Sequence, residues 1–245
     1  MAKRLFSRRN AWLSWAVGFC WLLAAILYPA SSELTRAAGA GLSGALMLGF
    51  LWLTWQRRWM RWSLLGLLAL AACFVALPGR ITYDRPALRQ AIADAGARYE
   101  GVRYFRGGES YLGVDDSGLI RRAAIEGTFC HGVRTLNPWL VRNAVAFWWD
   151  DRSASEMGAG AGGMARKVAE AKSLLSWNDK NLHPGDFAIT ADGVHALLYL
   201  GEHVWVEADP TAKKVLRLRV GRDRTNWFET PVNVLRWRYL DLPTR

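Results

Sequence analysis

Three long runs without a single charge fill most of the first 79 residues, and few structures accommodate them. Trp12 to Tyr28, Ala37 to Trp55 and Trp62 to Leu77 are apolar throughout. Each is close to the ~20 residues that a helix needs to cross the hydrocarbon of a bilayer. Trp12, Trp15, Trp52, Trp55, Trp59 and Trp62 stand near the ends of these runs, where tryptophan favours the membrane–water interface. Helices buried in a soluble core do not come three in series with tryptophan and arginine at their borders. Residues 1–79 are therefore read as a membrane anchor of three transmembrane helices (about 12–28, 37–55 and 62–77), and residues 80–245 as one domain large enough for its own core.

The basic balance follows the same division. The chain carries 32 basic and 21 acidic residues, a net +11. Eight of the basic residues and a single acidic one, Glu33, lie before residue 80, so +7 of the surplus flanks apolar runs and +4 belongs to the rest. Charge placed like this orients helices in a membrane. It leaves no phosphate-tracking stripe with interleaved aromatics, and no nucleic-acid partner is expected. The one dense basic cluster outside the anchor, Lys213 to Arg224, alternates Leu-Arg-Leu-Arg-Val like an exposed strand. Basic residues at the N-terminus and at 56–61 outweigh those at 31–36. The positive-inside bias then puts the N-terminus in the cytoplasm and everything after Pro78 outside. Met1–Asn10 with Pro29-Ala30-Ser31 also fits a cleaved signal peptide, and Ser7-Arg8-Arg9 faintly resembles a twin-arginine export signal. Bulky Tyr28 and the two spans that follow favour a retained anchor.

Three cysteines make no disulfide framework: Cys20 and Cys73 lie inside apolar runs, and Cys130 stands alone in the domain. Beyond Thr82–Pro86, the spacing predicts helices over Pro86 to Tyr99, Asp116 to Ile125 and Pro138 to Trp149. Asp115, Asp116 and Ser117 are capping candidates for the second. Met157 to Leu175 reads as helical in its second half, after a start loosened by Gly158, Gly160, Gly162 and Gly163. Strands are expected at Phe187–Thr190, His195–Leu200, Val204–Ala208, Val215–Val220 and Val234–Leu240. Helices followed by consecutive strands imply an α+β domain with an antiparallel sheet.

Five short segments carry a resemblance. Tyr104-Phe105-Arg106-Gly107-Gly108-Glu109 precedes Gly113-Val114-Asp115-Asp116-Ser117-Gly118-Leu119-Ile120. Then come Leu182-His183-Pro184-Gly185-Asp186-Phe187, Gly193-Val194-His195-Ala196-Leu197-Leu198-Tyr199-Leu200-Gly201 and Val204-Trp205-Val206-Glu207-Ala208. In this order, from about Tyr99 to Pro210, they resemble the NlpC/P60 family of papain-like cysteine peptidases. The resemblance implies a bacterial inner-membrane protein with a periplasmic, papain-like domain that acts on or binds the stem peptides of peptidoglycan, or else holds an envelope protein partner. It implies no cofactor.

In that family a cysteine at a helix N-terminus attacks an amide, a histidine on a facing strand takes its proton, and a third polar group orients the histidine. Carried over, the histidine is His195, the orienting group Glu207 (with Asp209 as a second candidate), and the nucleophile position Asp116. Tyr104, Arg106, Gly107, Gly108 and Ser117 complete the implied substrate-binding set. Without the resemblance, Gly107-Gly108 is a loop needing positive φ, and Glu207 and Asp209 end a strand. Arg106 falls where many members of the family have tryptophan.

Asp116 is the departure. A carboxylate with a pKa near ~4 has no proton for His195 to remove at neutral pH, and a helix N-terminus is expected to lower that pKa further. Attack by a carboxylate on an amide gives a mixed anhydride. Ser117 points elsewhere on the helix, and Cys130 lies beyond it. Three accounts stay open: a catalytically dead groove that still binds peptide or a partner, an acid/base or zinc- or manganese-binding set of Asp116, His195 and Glu207, or Asp116 as a mere helix cap.

Overall fold

The computed structural model describes residues 8–80, 82–150, 153, 156–157, 163–177 and 180–241. Three helices, α1 (Arg8–Leu27), α2 (Glu33–Thr54) and α3 (Arg58–Ala76), occupy the apolar runs, and each is long and apolar enough to cross a membrane. Leu23, Ile26, Trp52, Leu67 and Leu70 stay exposed on them, as lipid-facing residues do. Trp15 ties α1 to α2 by donating its indole N–H to the Leu46 carbonyl at 2.8 Å and packing on Phe50. Ser32 and Thr35 cap the start of α2 reciprocally.

The domain places α4 (Arg85–Ala97), α5 (Asp116–Arg134) and α6 (Pro138–Trp149) against a six-stranded antiparallel sheet. Its strands are β3 (Ala165–Ala171), β4 (Phe187–Thr190), β5 (Ala196–Gly201), β6 (Val204–Asp209), β7 (Lys214–Arg219) and β8 (Val232–Trp237), in the order β3-β8-β4-β5-β6-β7. A short ladder of β1 (Glu109–Ser110) and β2 (Gly113–Val114) precedes α5. Side chains alternate across the strands. Phe187, Leu198 and Val206 pack under the helices with Leu119, Ile120 and Leu140, while Leu197, Tyr199 and Trp205 form a second cluster on the other face with Phe228. Asp186, fully buried, receives both Nε and Nη2 of Arg236 at 2.7 Å and pins β4 to β8.

The α+β architecture with an antiparallel sheet is as expected from the order of elements. Three boundaries differ. Helix α5 runs past Ile125 to Arg134, and so contains Cys130, expected beyond it. The helix expected in the second half of Met157–Leu175 is strand β3, paired along its length with β8; Gly158, Gly160 and Gly162 lie outside the described residues. The final strand starts at Val232 and ends at Trp237, and Arg238–Leu240 turns into a 3-10 helix.

The anchor and the domain are joined by more than the chain. The turn between α1 and α2 pairs with the loop before β1: Ser31 N–H donates to Gly107 O at 3.1 Å and Glu109 N–H to Pro29 O at 2.8 Å. Arg36 on α2 reaches Glu109 at 2.9 Å, and Arg121 on α5 reaches the other oxygen of the same carboxylate at 2.5 Å. Arg142 on α6 donates to the carbonyls of Val75 and Leu77 at the end of α3.

Candidate functional site

The tip of α5 is built by Asp115, which caps it. Its Oδ1 accepts from Gly118 N–H at 2.7 Å and from the Ser117 hydroxyl at 3.0 Å, while Oδ2 accepts from Gly107 N–H at 2.7 Å. Gly107 takes φ +71°, the left-handed region open to glycine. Gly118 lies so close to this loop that a Cβ there would stand 2.1 Å from the Gly108 carbonyl. The cap role considered for Asp116 therefore belongs to Asp115, and Ser117 spends its hydroxyl on that cap. Asp116 is the first helical residue, free to turn its carboxylate inward.

What it turns toward is His195. The β4–β5 hairpin holds this residue through its backbone: Thr190 N–H donates to His195 O at 2.9 Å, and His195 N–H donates to Thr190 Oγ1 at 3.0 Å. Leu197 pairs with Glu207 across β5 and β6. His195, two residues earlier, faces the same side of the pleat within diagonal reach of Glu207. Its Nε2 meets Glu207 Oε2 at 3.1 Å. Thr225 donates its hydroxyl to the other oxygen, Oε1, at 3.3 Å. The indole of Trp227 stacks on the imidazole with centroids 4.1 Å apart. The other ring nitrogen, Nδ1, faces Asp116 Oδ2 at 3.7 Å.

Trp227 and Thr225 are site neighbours that the sequence did not disclose. They stand beyond the resembling segments, on a single helical turn, Asn226–Glu229 with its cap, between β7 and β8. Asp209 does not share the orienting role: its Oδ1 accepts from Thr211 and Ala212 N–H and closes the β6–β7 turn. Tyr104 is half-buried, and burial followed by the charges of Asp116 and Asp115 pushes its phenol up. Arg106 is exposed beside it, and Gly108 is buried.

Two expectations about Asp116 need correction. Its pKa is raised, not lowered. Burial is the largest cause and outweighs the attraction of His195 and the backbone N–H groups of the helix tip. Oδ2 is buried with no hydrogen-bond partner. The three side chains named for a metal do not converge on one point: the two carboxylates sit on opposite nitrogens of one imidazole. Among the described residues no cluster of three His, Cys, Asp or Glu side chains is arranged to hold a metal.

The raised pKa sets a stability prediction. A carboxyl whose folded pKa exceeds its unfolded value of ~3.9 favours folding below that value, and the contribution is lost as pH rises through the folded pKa. Asp116→Asn removes the titration. The variant is expected to be more stable than the parent at pH 7, within the ~1–3 kcal/mol that a buried unsatisfied polar group costs. The advantage should disappear below about pH 4. Thermal unfolding of both proteins across that range checks the sign.

No protein-family model matches the chain, and no curated protein sequence matches it. Among solved structures, NlpC1 from Trichomonas vaginalis is similar at 15% identity and a TM-score of 0.42, over 65% of this chain and 46% of that one. NlpC2 from the same organism stands at 15% and 0.42, over 64% and 49%. An NlpC/P60 family protein from Bacillus cereus stands at 16% and 0.41, over 61% and 40%. The chain spans less than half the length of each.

Proposed function

We propose that this is a membrane-anchored envelope protein of residues 1–79 and a domain of residues 80–245 outside the cytoplasmic membrane. In this reading the domain holds peptidoglycan stem peptides in an NlpC/P60-type groove and does not cleave them by the thiol route. The observation that carries the reading is Asp116 Oδ2, buried and unpartnered 3.7 Å from His195 Nδ1, while Glu207 holds the other ring nitrogen. That is the orienting half of a nucleophilic dyad aimed at a group that cannot serve as nucleophile. Tyr104 and Arg106 border the helix tip and supply an aromatic wall and a cation for a peptide carboxylate. The outward placement is supported by the basic residues at the N-terminus and at 56–61.

A second reading is favoured by one observation. Burial lets Asp116 keep its proton to higher pH than an exposed aspartate, which gives His195 an acidic partner for acid/base hydrolysis of an amide. Purified full-length protein incubated with soluble peptidoglycan fragments separates the two. Under the first reading fragments are retained, Arg106→Ala weakens retention by about tenfold, the ~1.4 kcal/mol of one lost charge-assisted contact, and no new amino termini form. Absence of retention overturns it. New amino termini that vanish in His195→Ala establish the hydrolase instead.

A further inference from the structure

Near Trp15 and Leu46 the first two helices touch, but toward the domain they part. A cleft of about 400 Å³ opens there, walled by Leu22 and Ile26 of α1 and Gly39 and Ser43 of α2. A Cβ built on Gly39 meets nothing within 4 Å. Ser43 turns its hydroxyl back to Gly39 O at 2.7 Å, so it satisfies itself within the helix and leaves the wall apolar. Toward the domain the lining changes to Ser31, Arg36 and Glu109. Within this one cleft the lining thus runs from between two membrane-length helices to the buried ion pair of Arg36 and Glu109.

We propose that this cleft binds a bilayer lipid, with its hydrocarbon chain between α1 and α2 and its polar head beside Ser31 and Arg36 at the domain end of the same cleft. Hydrocarbon is the solvent at this depth, and a cleft without unsatisfied polar groups gives water nothing to hold. The change from apolar to hydrogen-bonding lining along one direction matches an amphiphile, whose apolar chain and polar head lie end to end. The proposal rests on the membrane placement proposed above and is independent of what the His195 groove binds.

The full-length chain is reconstituted in phosphatidylcholine–phosphatidylglycerol vesicles containing a phospholipid with a photoactivatable diazirine in its acyl chain. It is irradiated, digested and mapped by mass spectrometry. Adducts are expected to concentrate at residues 22–28 and 39–43 over the lipid-facing surface of α3, where Leu67 and Leu70 are exposed. Gly39→Phe fills the cleft and is expected to cut cleft adducts about tenfold, or ~1.4 kcal/mol, with α3 adducts unchanged. Gly41→Phe, also in open space but outside the cleft lining, should leave both unchanged and controls for misfolding. Equal labelling of cleft and α3, insensitivity to Gly39→Phe, or cross-links between copies in place of lipid adducts would overturn the proposal. Because the readout needs neither peptide nor turnover, its failure leaves the groove reading standing, and the reverse also holds.

Discussion

Asp116→Cys is expected to turn the protein into an amide hydrolase. The parts that a thiol needs are present. The position is the first residue of α5, where backbone N–H groups favour a thiolate. His195 presents Nδ1 to it, and Glu207, braced by Thr225, holds Nε2. Trp227 fixes the plane of the ring. A cysteine sulfur stands where aspartate has its Cγ, one bond nearer the helix than Oδ2, and its larger radius makes up part of the difference. Release of new amino termini from peptidoglycan stem peptides should rise on the order of 10³-fold or more over the parent, the scale on which removing a nucleophile–base pair is felt. The double variant Asp116→Cys, His195→Ala should lose the gain. A single variant that labels with a thiol-directed reagent yet releases no product would show that peptide does not reach the helix tip, and the groove reading would fall with it.

Glu109→Ala is expected to be the most damaging change outside the sheet. Its carboxylate is shared between Arg36 and Arg121, and all three side chains are at most 9% exposed. Removing the anion leaves two guanidinium groups facing each other out of water. Breaking a buried pair from one side costs ~3–5 kcal/mol. In a chain of this size that corresponds to a fall in Tm of about 10 °C. Glu109→Gln keeps the shape without the charge and should fall by nearly as much. Thermal unfolding of the full chain in detergent micelles reads both, and a Tm within about 2 °C of the parent would show that the cluster contributes little.

Those two sites show what the chain discloses along its length and what it hides. The membrane helices are legible because a charge-free run is a local property. Strands β4 to β7 are legible because their two-residue alternation lies between clear turns, and the position of His195 beside Glu207 then follows from a hairpin. Strand β3 is not legible. Ala165-Arg166-Lys167-Val168-Ala169-Glu170-Ala171 is made mostly of good helix formers, and only its partner β8, more than 60 residues downstream, makes it a strand. The Arg36–Glu109 contact spans 73 positions and leaves no periodic trace. Arg36 reads locally as a loop charge beside a membrane helix. Trp227 reads as one tryptophan among 14. The direction of the Asp116 shift is hidden for a different reason. The helix tip is visible from the sequence, but the depth to which the fold sinks it is not.

The backbone pairing of residues 29–31 with 107–109, together with the hold of Arg142 on the end of α3, has a mechanical consequence. A catalytic or receptor module on a floppy leash sweeps a volume and samples targets at many heights. This one is bolted to its helical base at two points, so under the proposed placement its mouth would keep a constant altitude and tilt above the lipid plane. Under that placement only molecules delivered to that single stratum would come within range.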